Sequence, residues 1–132
     1  MSKKQTVLLV EDDIILVEMY ETKLEMEGYR VELAHSGKEA LEKLKGKLVP
    51  DLILLDILMP DVNGFEVLKE MKKIPDYRSI PVIMLTNLGE AKIDMNQELI
   101  YALGVRDYLI KSRHTPDEVV EKIRKVLPLS DV

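Results

Sequence analysis

Val7-Leu8-Leu9-Val10-Glu11-Asp12-Asp13 runs four apolar residues directly into three acidic ones, and Leu52-Ile53-Leu54-Leu55-Asp56 repeats the pattern later in the chain. A continuous apolar run of this length suits a strand covered on both faces rather than one with a solvated side. A carboxylate at the end of such a strand sits at the rim of the core, where a charge needs a partner. Val82-Ile83-Met84-Leu85, followed by Thr86, is a third run of the same kind. Arg30-Val31-Glu32-Leu33-Ala34 instead alternates polar with apolar, and the segment Asp107 to Ile110 is polar at its start. Those two read as edge strands.

Helical patterns separate the five strands, and this alternation predicts a parallel α/β sheet. Three central and two edge strands are satisfied by the order 2-1-3-4-5, a flavodoxin-like doubly wound sheet with five helices. Thr115-Pro116-Asp117-Glu118 carries a helix start: a Thr N-cap, Pro in the first turn and Glu completing a capping box. Val119, Val120, Ile123, Val126 and Leu127 then form its apolar stripe. Ser36-Gly37-Lys38-Glu39 and Asn63-Gly64-Phe65-Glu66 read similarly. Leu16, Met19, Tyr20 and Leu24 are expected to be the buried face of the first helix, Asp13 its N-cap and Gly28 its stop. The fourth helix is expected between Gly89 and Gly104, on Ile93, Leu99, Ile100 and Leu103.

The chain has 132 residues, a length that fits one domain, with order expected from about residue 6 to 127. No apolar run reaches the ~18 residues of a membrane span, and the start MSKKQTVLLV is too short in apolar residues for a secretory signal, so a cytoplasmic location is expected. With no cysteine and only His35 and His114, both read as surface residues, thiolate and histidine metal sites are excluded in favour of oxygen ligands. A net charge of -5 argues against direct nucleic-acid binding.

In an open parallel sheet, ligands bind beyond the carboxyl ends of the strands, where the strand order reverses. Glu11, Asp12 and Asp56 should converge there, with Thr86 and Lys111 at the ends of strands four and five. Carboxylates so gathered repel by about 4 kcal/mol per pair at about 4 Å and an effective dielectric near 20, unless a cation intervenes. Mg2+ suits an open site of one or two carboxylates plus substrate phosphate. Asp56 beside Mg2+ can attack phosphorus, Lys111 can stabilise the transferring oxygens, and Thr86 can hydrogen-bond the phosphoryl group. Taken singly these residues are weak signals. Glu11 and Asp12 could equally cap the first helix, Thr86 and Tyr108 could be strand packing, and Lys111 a solvated charge.

Val10-Glu11-Asp12-Asp13, Asp56-Ile57-Leu58-Met59-Pro60 with Gly64 eight residues after the Asp, Thr86, and Tyr108 three residues before Lys111 together resemble the response-regulator receiver domains. The resemblance spans about Val7 to Leu127 and casts residues 1–132 as a single receiver domain. It implies that Asp56 is the phosphoacceptor, and that Asp12, Asp56 and the Leu58 backbone carbonyl are Mg2+ ligands, with Glu11 acting through water. It implies further that Thr86 and Tyr108 form a switch pair and that Lys111 binds the phosphoryl group. A sensor histidine kinase or phosphotransfer protein would be the donor, and a protein target would dock on the face around Tyr108, with a phosphorylation-dependent homodimer left open. No membrane contact and no enzymatic activity beyond the chain's own phosphotransfer and autodephosphorylation are expected. Nor is an appended output domain, since only a short tail follows Leu127.

Three positions depart from that family's pattern. Asn87 stands where a small residue is usual, Ser112 follows Lys111 where Pro is usual, and the segment from Thr86 to Lys111 is a few residues longer. A cis bond before a non-proline costs about 2.5–4 kcal/mol, so Lys111-Ser112 is expected to be trans. Leu58 and Leu88 offer no hydrogen bond to an attacking water, which predicts a long-lived acyl phosphate. Phosphatases of the haloacid-dehalogenase type need a second Asp two residues after the nucleophile, and position 58 is Leu. A flavin phosphate would be repelled by Glu11-Asp12-Asp13. A receiver-like binding module not regulated by phosphorylation is the remaining alternative.

Overall fold

Five parallel strands, β1 (Thr6–Val10), β2 (Arg30–Ala34), β3 (Leu52–Asp56), β4 (Val82–Thr86) and β5 (Val105–Ile110), make one sheet in the computed structural model. The structure describes residues 4–46, 48–57, 59, 61–86 and 104–129. The strand order is β2-β1-β3-β4-β5, the arrangement expected from the apolar runs. Helices α1 (Ile14–Glu27), α2 (Gly37–Lys45), α3 (Gly64–Lys72) and α4 (Pro116–Val126) flank it, with 3-10 turns at Pro75–Tyr77 and Lys111–Arg113. Five helices were expected and four α-helices stand among the described residues. The one placed between Gly89 and Gly104 falls on residues 87–103, outside those described.

Period-two alternation divides the core into two layers. Leu8, Val10, Ile53, Leu55, Val82 and Met84 face α2 and α3 with Ala40, Leu44, Val67 and Leu68. Val7, Leu9, Leu52, Leu54, Ile83, Leu85 and Leu109 face α1 and α4 with Val17, Tyr20, Leu24, Val119, Val120 and Ile123. Every β1 residue from Val7 on and all of β3 are buried, the pattern of strands with helices on both sides. β5 begins two residues before its expected start. A register irregularity between Val82 and Ile83 sets Val82 opposite Val105 and Ile83 opposite Asp107, leaving Arg106 unpaired as a bulge that ladder reading from sequence passes over.

The helix starts carry the side chains that the sequence proposes. Asp13 accepts hydrogen bonds from the Ile15 and Leu16 amides, Ser36 from Glu39 and Asn63 from Glu66. Thr115 and Glu118 form the reciprocal capping box. Gly28 ends α1 at φ 105°, in the left-handed region that a side chain would strain. The buried face of α1 needs a correction: Val17, Tyr20 and Leu24 are buried, whereas Met19 faces outward with Ile15 and Met26. Apolar residues occupy both sides of this helix, so periodicity alone has two solutions. At its far end the Tyr29 hydroxyl donates to the Leu127 carbonyl at 2.5 Å, tying the start of β2 to the end of α4.

Candidate functional site

Alternation places the site before any side chain is considered. Leu9, Leu54 and Leu109 all face the α1 and α4 layer, and two residues further along their strands stand Glu11, Asp56 and Lys111. β1 and β3 are neighbours with Val10 opposite Leu55, so Glu11 and Asp56 emerge side by side. Both are buried. Carboxylate oxygens of Glu11, Asp12 and Asp56 lie within 4.8 Å of one another, with Asp12 on the exposed side.

Lys111 closes the cluster from β5. Its Nζ donates to Asp56 Oδ2 at 3.2 Å and lies 2.5 Å from Glu11 Oε1. The second contact is an ion pair between two largely buried groups. The other Glu11 oxygen accepts from the Asp13 amide at 3.1 Å. Burial pushes the Glu11 carboxyl up to about 7, and the Asp56 charge adds to the rise while Lys111 and the Asp13 amide oppose it. Burial alone would lower the Lys111 ammonium, but Glu11 and Asp56 together outweigh it and hold Lys111 above the ordinary lysine range. Among the described residues one ammonium, Lys111, stands at a cluster of three carboxylates. That surplus, on all-oxygen donors at a partly open rim, fits a hard divalent cation.

The loop after β3 is held by two close backbone approaches. A Cβ on Gly64 would stand 2.4 Å from the Asp56 carbonyl oxygen, and the Gly64 amide donates to the Ile57 carbonyl at 2.9 Å. Only glycine lets the start of α3 lie against Asp56, which is why Gly64 follows it at a fixed distance. A Cβ on Gly37 would stand 2.2 Å from the Val62 carbonyl oxygen. Asp61 reaches across to accept from the Lys38 amide at 3.2 Å, and amide hydrogen bonds, chiefly from Val62, hold its carboxyl below the usual range. Sequence reading missed Asp61 and the close approach of Val62 to Gly37, because the partners lie on different elements.

The remaining expected residues are placed as follows. Thr86 ends β4 opposite Ile110 of β5, and its side chain lies outside the described part of the structure. Tyr108 pairs with Met84, its ring packs against the α2 and α3 layer, and its buried hydroxyl has no hydrogen-bond partner among the described residues. Burial and the Asp56 charge raise the Tyr108 phenol. Tyr20, expected only as core, also senses the site: burial, then Glu11 and Asp56, push its phenol up to about 12. Leu58, Asn87 and Leu88 lie outside the described residues. No peptide bond is cis among those described, so Lys111-Ser112 is trans as expected.

Comparison with known proteins agrees with this architecture. The chain is 43% identical over 120 residues to a transcriptional regulatory protein, the CpxR homolog of Haemophilus influenzae, covering 91% of this chain and 49% of that protein. The chain thus spans about half the length of the curated relatives it matches. Among solved structures, the chemotaxis response regulator CheY4 of Vibrio cholerae superposes with a TM-score of 0.82 at 31% identity, over 95% of this chain and 100% of that one. The response regulator TrrA of Thermotoga maritima, solved in complex with Mg(2+)-BeF, superposes at 0.77 with 32% identity, over 93% of this chain and 99% of that one. The family model for the response regulator receiver domain matches residues 7–124, and with it the chain belongs to that family.

Proposed function

We propose that this domain accepts a phosphoryl group on Asp56 from a histidine kinase, a phosphotransfer protein or a small acyl phosphate, and relays that state through a protein-binding face around Tyr108. The observation that carries the reading is the buried Asp56 carboxylate at the mouth of the sheet, 3.2 Å from the Lys111 ammonium and within 4.8 Å of Glu11 and Asp12. An Asp56 oxygen forms a bond to phosphorus while the bond from phosphorus to the donor's nitrogen or acyl oxygen breaks, its electron pair leaving with the donor. Lys111 turns from the carboxylates to the phosphoryl oxygens and stabilises their charge. Mg2+, held by Asp12, Asp56 and the Leu58 carbonyl with Glu11 acting through water, would neutralise negative charge on the carboxylates and the incoming phosphate.

Thr86 and Tyr108 are read as the pair that reports the change. A buried hydroxyl without a partner costs about 1–3 kcal/mol, so the inward Tyr108 ring has an incentive either to leave or to find a new hydrogen bond. That supports two positions for the ring and a surface that differs between them. Like any receiver with only its own phosphotransfer and autodephosphorylation, the domain is proposed to turn over no separate substrate. Its charge of -5 supports protein rather than nucleic-acid contacts for this domain.

Intact mass after incubation with an acyl phosphate tests the reading. One phosphoryl adduct is expected with Mg2+ and none after chelation, and Asp56→Asn should stay unmodified. Stoichiometric labelling of Asp56→Asn, or an unmodified wild type, would overturn it in favour of a different acceptor or a binding module.

A further inference from the structure

The outward face of α1 is a short heptad seam. Ile15, Met19, Thr22 and Met26 follow one another at spacings of four, three and four residues, the d, a, d, a pattern of a coiled-coil strand. Ile15 is 72% exposed, Met26 80% and Met19 37%, on a helix whose opposite side already fills the core. With Glu18, Thr22 and Lys23 they line a continuous shallow groove. Glu18 occupies the g position on one flank of the seam and Lys23 the following e position on the other.

That arrangement selects a partner and an orientation. In a parallel helix pair, g of one strand meets e of the next heptad in the other, so Glu18 faces Lys23 of a second copy on both sides of the two-fold axis. In an antiparallel pair, g meets g and e meets e, setting Glu18 against Glu18 and Lys23 against Lys23. We propose that two copies of this chain associate in parallel through α1, with Ile15, Met19, Thr22 and Met26 stacked on their own counterparts and two Glu18–Lys23 pairs across the seam. A two-fold contact of this kind is isologous and closes at a dimer.

The contact is weak by construction. Helix α1 has 14 residues, about 21 Å of axis, which holds four seam layers against the three to four heptads of a sustained coiled coil. Lys23 already pairs with the exposed Asp117 at 2.7 Å, so Glu18 of the second copy shares that ammonium. Self-association is therefore expected to be weak and is independent of the phosphoryl reading.

Sedimentation velocity from micromolar to near-millimolar chain reads the equilibrium, with far-UV circular dichroism confirming that each variant is folded. Ile15→Glu and Met26→Glu should each abolish dimer. Lys23→Glu should weaken it at least several-fold, and Glu18→Lys in the same chain should restore it. The chain has no cysteine, so Met26→Cys gives a single thiol. In a parallel pair the two thiols meet and cross-link under mild oxidation well ahead of a Val49→Cys control, which is also exposed. A monomer throughout the range overturns the proposal, as does a dimer insensitive to Ile15→Glu and Met26→Glu. Cross-linking of Ile15→Cys with Met26→Cys in a mixture, but not of Met26→Cys with itself, overturns the parallel seam. So does an α1 face that binds a phosphodonor protein without self-association.

Discussion

Asp56 occupies its position because β3 is apolar up to its last residue and α3 begins against that residue's carbonyl. Gly64 is the condition for the second fact. A methyl group there would stand 2.4 Å from the Asp56 oxygen and 2.9 Å from the Ile57 Cα, both backbone atoms that cannot swing away. Gly64→Ala is expected to lower stability by about 1–3 kcal/mol, the usual range for overpacking, through displacement of the Asp56 strand end. The urea midpoint should fall with an unchanged slope, and Mg2+ affinity should fall with it. A variant as stable as wild type with unchanged affinity would mean that the loop gives way freely. Glu11, Asp12, Asp56 and Lys111 were all legible in the sequence as strand-end residues of the right chemistry. Asp61 was not, because the α2 amide that it accepts from is distant in the chain and no local pattern marks the pairing.

Helix termini were the most legible elements, since each cap is local: a polar side chain answers amides two or three residues later. Thr115 and Glu118 satisfy one another's amides at the start of α4, the helix whose Val119, Val120 and Ile123 close one face of the sheet. Thr115→Ala removes that reciprocal pair without touching the packed face. It should cost about 1 kcal/mol, within the ~0.5–2 kcal/mol range of lost caps, read as a shift in the denaturation midpoint. A loss beyond ~3 kcal/mol would place Thr115 in a larger network than its cap. Met19 on α1 was misread for the converse reason, while Leu16, Tyr20 and Leu24 lie on the core side as expected. Val17, Tyr20 and Leu24 on one side and Ile15, Met19 and Met26 on the other both satisfy helical spacing, and only packing against β1 and α4 decides which is inside. The bulge at Arg106 escaped for the same reason, as it exists only relative to β4.

At the scale of the whole molecule, strand order followed from which runs were apolar throughout, because a strand covered on both faces has no polar side to show. The same architecture gathers three carboxylates at one rim, and this sets stability against function. Burial, with the Asp56 charge, raises the Glu11 carboxyl from 4.5 to about 7 in the folded chain. A group whose folded pKa is raised contributes its stability below the unfolded value and loses it as pH rises through the folded one. Without metal, the wild type should therefore lose stability relative to Glu11→Gln between about pH 4.5 and 7 and stay level above that, since Gln keeps the shape of the neutral acid at every pH. Thermal unfolding in chelator should show Glu11→Gln melting higher than wild type at pH 8 and close to it below pH 5. Saturating Mg2+ should narrow that gap at pH 8, because a ligand at about a hundredfold excess over Kd adds about 2.7 kcal/mol to whichever protein binds it. The variant, short of one carboxylate, should gain less. If Glu11→Gln melted below wild type in chelator at pH 8, the Glu11–Lys111 ion pair would outweigh the burial of the carboxylate, and the rim would be a stabilising contact rather than a site held at a cost for a cation.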